Sequence, residues 1–140
     1  MKKIIFVFFM MLILTGCGKN SKVETVDCTL KDNFLYGRQH EQYIVDIKNN
    51  KIEKMVQIDE YFLDDIYLSD IDVFIEKLTK EVNDIERVYG YDVDFEETKT
   101  GAIVKMTMNA DEANEFFGYD TYVTKERLIN GLSEQGFICK

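Results

Sequence analysis

Proline and tryptophan are absent from the 140 residues, and histidine occurs once, at His40. Serine is scarce too, with only Ser21, Ser69 and Ser133. A nucleophilic triad needs a hydroxyl or thiol, a base and an orienting acid, and none of these serines stands in a G-x-S-x-G turn, so a serine or cysteine hydrolase is disfavoured. One His and so few Cys leave too few soft ligands for a zinc site. The 8 glycines are scattered singly, which rules out a phosphate loop or a dinucleotide fingerprint. Without Trp there is no flat sugar platform, which argues against a paired-carboxylate glycosidase. Basic charge is short as well: 17 Lys and Arg against 26 Asp and Glu give a net charge of -9. With no basic face to release counterions, nucleic acid is not expected as a partner.

Long apolar runs are limited to one, residues 4–14, eleven residues that follow Met1-Lys2-Lys3. As a helix this run reaches only about 16 Å, short of a roughly 30 Å hydrocarbon core, so it reads as the apolar part of a secretory signal and not as a membrane span. Its ending, Leu14-Thr15-Gly16-Cys17, resembles the bacterial lipobox. That resemblance implies cleavage between Gly16 and Cys17 and diacylglyceryl transfer to the Cys17 sulfur. Residues 1–16 are then a cleaved signal peptide, 17–22 a lipidated tether and 23–140 a single domain. The acyl chains on Cys17 would hold the protein on the outer face of the cell membrane, and the tether keeps the domain within roughly 20 Å of the lipid. Residues 23–140 carry 13 basic and 26 acidic side chains, a net of -13.

Beyond Cys17 two cysteines remain, Cys28 and the penultimate Cys139. An exported chain with an even remainder suggests a Cys28–Cys139 bridge, which in the chain-entropy picture stabilises by roughly 4 to 5 kcal/mol. The whole layout resembles the small YehR-like bacterial lipoproteins. The matching pieces are Leu14-Thr15-Gly16-Cys17, Cys28-Thr29-Leu30, a Tyr-containing strand at 43–48, the return Lys51-Ile52-Glu53-Lys54, Val88-Tyr89-Gly90-Tyr91 and the ending Gly136-Phe137-Ile138-Cys139-Lys140. The resemblance implies an exported, lipid-anchored, compact α+β domain at the cell envelope and brings no catalytic residues with it.

Residues 23–31 alternate loosely and suggest a first strand. Tyr43, Val45 and Ile47 face one way on a second, and Ile52, Lys54, Val56 and Ile58 set a third, with Asn49-Asn50 as a hairpin turn that tolerates positive φ. Ile71, Phe74, Ile75, Leu78, Val82, Ile85, Val88 and Tyr89 recur at helical spacing, with Ser69 and Asp72 as a capping pair and Gly90 as a left-handed C-cap. Residues 91–96 and 102–108 form a second hairpin through Lys99-Thr100-Gly101. A short helical turn is expected at 111–117, a helix at 124–134 and a last strand at 137–139. The order gives an α+β fold: a small, largely antiparallel sheet of two hairpins plus terminal strands, packed with one long and one shorter helix.

Carboxylates are the one abundant reactive group. Asp92, Asp94 and Glu96 would line one face of a strand, either as its solvated side or as oxygen ligands for a cation. Asp64, Asp65, Asp70 and Asp72 precede the long helix, where acids suit the helix N-terminus. His40 is expected in a polar loop between Gly37 and Tyr43. Aromatics are dense, with 8 Tyr and 10 Phe. In the connecting segments they either plug the ends of the core or build a recognition surface, and on the second reading Tyr61, Tyr67, Tyr119 and Tyr122 are the candidates. The sequence therefore points to a lipid-anchored, non-enzymatic domain that meets an envelope protein or a small ligand, with no cofactor. The alternatives are a carboxylate- and metal-dependent envelope enzyme and a passive protective lipoprotein.

Overall fold

The computed structural model describes residues 22–118 and 122–140. The signal peptide, the Gly16–Cys17 cleavage position with its lipidated Cys17, and Tyr119 lie outside the described residues. The elements are β1 (Glu24–Phe34), β2 (Gly37–Lys48), β3 (Lys51–Leu63), a 3-10 turn (Asp65–Asp70), α1 (Ile71–Tyr89), β4 (Asp92–Thr98), β5 (Gly101–Asn109), α2 (Ala110–Phe117), α3 (Lys125–Glu134) and β6 (Ile138–Cys139). All strand pairs are antiparallel, in one six-stranded sheet of order β4-β5-β3-β2-β1-β6. This is the α+β architecture expected, with β2 and β3 at its centre.

The two hairpins follow from local chemistry. Asn49 and Asn50 take φ of 53° and 59°, the left-handed pair that suits the twist of a two-residue hairpin. β2 and β3 are longer than expected because Leu35-Tyr36 turns the chain tightly and residues 37–42 pair with β1 on one side and β3 on the other. His40 therefore stands within β2, not in a loop; it pairs with Lys31 and Glu60, and its ring lies 5.0 Å from that of Phe62. Tyr61 and Phe62 likewise belong to β3 and not to a connection. At Gly37 a Cβ would stand 2.0 Å from the Phe62 carbonyl oxygen, so only glycine lets β2 begin against the end of β3.

All three helices pack on one face of the sheet, which is mostly apolar. Val26 and Cys28 of β1, Tyr43, Val45 and Ile47 of β2, Met55 of β3 and Val104, Met106 and Met108 of β5 are buried there with Leu78, Val82, Ala113, Leu128 and Leu132 of the helices. The expected facing of β3 is corrected: the pairing shifts between Asp46 and Ile47, so Ile52 and Met55 both point inward with Glu53 and Lys54 exposed between them. Val56 and Ile58 then lie on the open face, and Gln57, Asp59 and Tyr61 take the inward positions.

α1 spans the expected residues and ends at Gly90 with φ 73°. Its N-cap is Asp70 with no side-chain hydrogen bond, because Ser69 lies in the preceding 3-10 turn; the Ser69–Asp72 capping pair is not formed. Val88 and Tyr89 are exposed and not part of the buried stripe, since the core contact of α1 is made by its middle turns. The turn expected at 111–117 is a full helix, α2, opened by a capping box between Asn109 and Glu112. Thr124 caps α3 by accepting from the Arg127 N–H. β6 is joined to β1 by the Cys28–Cys139 disulfide across directly paired positions. No helix among the described residues is long and apolar enough to cross a membrane.

Candidate functional site

The inward face of the two central strands is apolar near the Asn49-Asn50 turn and polar farther along. Three consecutive inward positions of β2, Tyr43, Glu41 and Gln39, pair with Gln57, Asp59 and Tyr61 of β3. Direct cross-strand partners have Cβ atoms about 5 Å apart, so Glu41 and Asp59 place two carboxylates side by side, an arrangement that destabilises a sheet unless something compensates. Asp59 is 5% exposed and Gln57 7%.

Hydrogen bonds tie the block together. Gln57 Nε2 donates to Asp59 Oδ2 at 2.9 Å and, more weakly, to Glu41 Oε1 at 3.5 Å. Gln39 Nε2 reaches Asp59 Oδ1 at 3.5 Å, and the Tyr43 hydroxyl donates to Glu41. Gln57 Oε1 is buried with no hydrogen-bond partner among the described residues. Burial first, and the Glu41 carboxylate second, push Asp59 up to about 6, against the Gln57 and Gln39 bonds that pull it down. Burial, reinforced by Glu41 and Asp59, also raises Tyr43 and Tyr61 above the usual phenol range, so both hydroxyls stay protonated at neutral pH.

Four of these six residues form the floor of a cavity of about 590 Å³ between α1 and α2, with Glu41 and Tyr43 behind them. Gln39, Gln57, Asp59 and Tyr61 line the floor; Met106 of β5 and Ile85 of α1 form apolar wall; Tyr89, Tyr91, Glu115 and Phe116 complete it. Tyr89 is 59% exposed and its ring stacks on Tyr91 at 5.4 Å, while Phe116 is 40% exposed, so these rings form the rim. Local sequence explains the rim: Gly90 reverses the chain between the two tyrosines, and the Asn109 capping box starts α2 so that Glu115 and Phe116 fall on its cavity side. Among the described lining there is no Ser, Cys, His, Lys or Arg.

Of the tyrosines singled out from sequence, Tyr61 lines the cavity. Tyr67 lies elsewhere, in an apolar groove of about 240 Å³ with Tyr36, Val73 and Phe74. Edge-on ring contacts run from Tyr61 through Phe34 and Tyr36 to Tyr67, so the two are linked by packing and not by a shared opening. Tyr122 is exposed ahead of α3, and Tyr119 is outside the described residues. Asp92, Asp94 and Glu96 are exposed on the edge strand β4, with Lys105 Nζ 3.7 Å from Asp94. Among the described residues no group of three or more His, Cys, Asp or Glu side chains is placed to hold a metal ion.

Glu41, Gln57, Asp59 and Glu115 were not apparent from the sequence as site residues. The available signal was Gln57 and Asp59 alternating in step with Met55 and Tyr61, a polar interruption of an inward-facing row. It is visible only once the phase of β3 is known. Comparison of the chain with protein-family models, curated proteins and solved structures finds no match.

Proposed function

We propose that this chain is an exported, lipid-anchored, non-enzymatic binding protein of the cell envelope, of the YehR-like kind, held on the outer face of the membrane through diacylglyceryl-Cys17. Its domain takes a small ligand in the cavity between α1 and α2. One observation carries the binding reading: the buried, hydrogen-bonded Asp59 and Gln57, the latter with an unpartnered Oε1, lie at the floor of an aromatic-rimmed cavity. Such a block adds nothing a Val or Leu would not do better for folding, and convergent polar groups in a concave site are what ligand sites contain. The anchor reading is supported by the leader, by Leu14-Thr15-Gly16-Cys17 and by a disulfide suited to an oxidising compartment.

Asp59, raised beside Glu41, also favours a second reading as an acid–base pair. The geometry tells against it, because both carboxylates stand on neighbouring strands of one wall, and a pair that cleaves a glycosidic bond must flank it.

Fractionation of cells expressing the chain tests the anchor. The protein should partition with membranes and yield an N-terminal peptide that begins at an acylated Cys17, and Cys17→Ala should abolish both the acylation and the membrane partition. A wild-type protein released without acyl chains overturns the lipoprotein reading.

A further inference from the structure

Hydrogen bonding in the cavity floor is unbalanced in one direction. Its amide donors and the Tyr43 hydroxyl are committed: Tyr43 to Glu41, Gln57 Nε2 to Asp59 and Glu41, and Gln39 Nε2 to Asp59. The Tyr61 hydroxyl is able to donate or accept, and the groups left over that can only accept are oxygens. Gln57 Oε1 has no partner among the described residues, and each carboxylate has lone pairs beyond the bonds it receives. Turning the Gln57 amide over does not repair this, since the oxygen would then face the carboxylates and the NH2 group would lose the bond to Asp59.

Charge is unbalanced in the same sense. Asp59 and Glu115 line the cavity, Glu41 stands beside Asp59, and Glu81 and Glu112 are near enough to act on Tyr61 and Tyr91. The described lining has no cation. The aromatic rim adds ring faces, whose quadrupole attracts positive charge.

Resting on the reading of this cavity as a small-ligand site, we infer that its ligand is an aliphatic primary ammonium, whose N–H groups donate to Asp59 and Gln57 Oε1, with the Glu41 charge beside Asp59 adding to the attraction, while its alkyl body lies against Tyr61, Tyr89 and Tyr91. The alternatives each fail on one feature. An anion meets several carboxylates and no cation. A neutral polyol leaves the paired carboxylates uncompensated. A quaternary ammonium suits the rings but has no N–H for Gln57 Oε1.

Calorimetric titration of the full-length chain in neutral detergent at pH 7.5 tests this with four small probes: 1,5-diaminopentane, 1,5-pentanediol, glutarate and tetramethylammonium. The diamine should bind saturably and the other three at least tenfold more weakly. Asp59→Asn and Glu41→Gln should each weaken the diamine at least tenfold, with thermal unfolding confirming that both variants fold, and Tyr67→Ala, in the separate groove, should leave binding unchanged. Preference for the diol or for glutarate, lost on Tyr89→Ala, overturns the ammonium while the cavity reading stands. Equal binding of tetramethylammonium overturns N–H donation, and unchanged diamine binding in folded Asp59→Asn and Glu41→Gln overturns the placement. No response to any probe overturns the inference and removes the support for the cavity reading with it.

Discussion

Asp59 shows most directly what the binding chemistry demands of the fold. Glu41 and Tyr43 face it from β2, Gln57 and Tyr61 from β3, and Glu115 lines the same cavity from α2, with Glu81 of α1 near Tyr61. The carboxyl is raised from 3.8 to about 6 in the folded protein. Below 3.8 both the folded and the unfolded chain carry the proton, and this group does not oppose folding. Between there and about 6 the unfolded chain gives up its proton first, so stability falls as pH rises, by about 3 kcal/mol in all by neutrality. Asp59→Asn is therefore expected to stabilise the protein at pH 7 by about 1–3 kcal/mol in urea denaturation, with the gain vanishing by about pH 4. The cysteine pairing could be read from parity alone, whereas the role of Asp59 could not. Its neighbours Ile58 and Glu60 suit the opposite facing of β3 equally well, and a shift of one residue sends every side chain to the other face.

Among the elements, those coded by local sequence were the ones legible in advance. α1 is fixed by its apolar stripe and Gly90, and the first hairpin turn by two asparagines, all within a few residues of where they act. The full length of β2 and β3, the phase shift at Glu53-Lys54 and the exposure of Val88 and Tyr89 depend on strands distant in sequence, which periodicity does not report. α2 is intermediate, being short but strongly capped: Asn109 Oδ1 accepts from the Asp111 and Glu112 N–H groups, and the Asn109 N–H donates to Glu112 at 2.8 Å. An eight-residue helix is too short to persist on propensity alone, so its cap and Ala113 hold it against the sheet. Asn109→Ala is expected to destabilise by about 1–2 kcal/mol in equilibrium denaturation. It should also weaken diamine binding, because α2 carries Glu115 and Phe116.

At the scale of the whole molecule, one covered face and one open face divide the sheet. On the open side Ile44, Val56, Ile58, Phe62 and Ile103 are half-buried among charged neighbours. The helices of the covered side come from widely separated stretches of chain, and the Cys28–Cys139 bridge, spanning a sequence separation of 111, holds β6 and the adjoining α3 against β1. Replacing both cysteines by alanine is expected to lower stability by about 3–5 kcal/mol in urea denaturation, with a steeper slope because the unfolded chain is then free to expand. The same bridge governs how the domain bears tension. A pull between the chain ahead of Lys22 and the C-terminal Lys140 travels six residues to Cys28, crosses the sulfurs and leaves through Cys139. The strands and helices between the two cysteines form a closed loop off this load path, so the Glu41–Asp59 floor carries none of the force. Unfolding of the chain between the two cysteines adds nothing to the distance between the two ends of the domain, however hard either end is drawn.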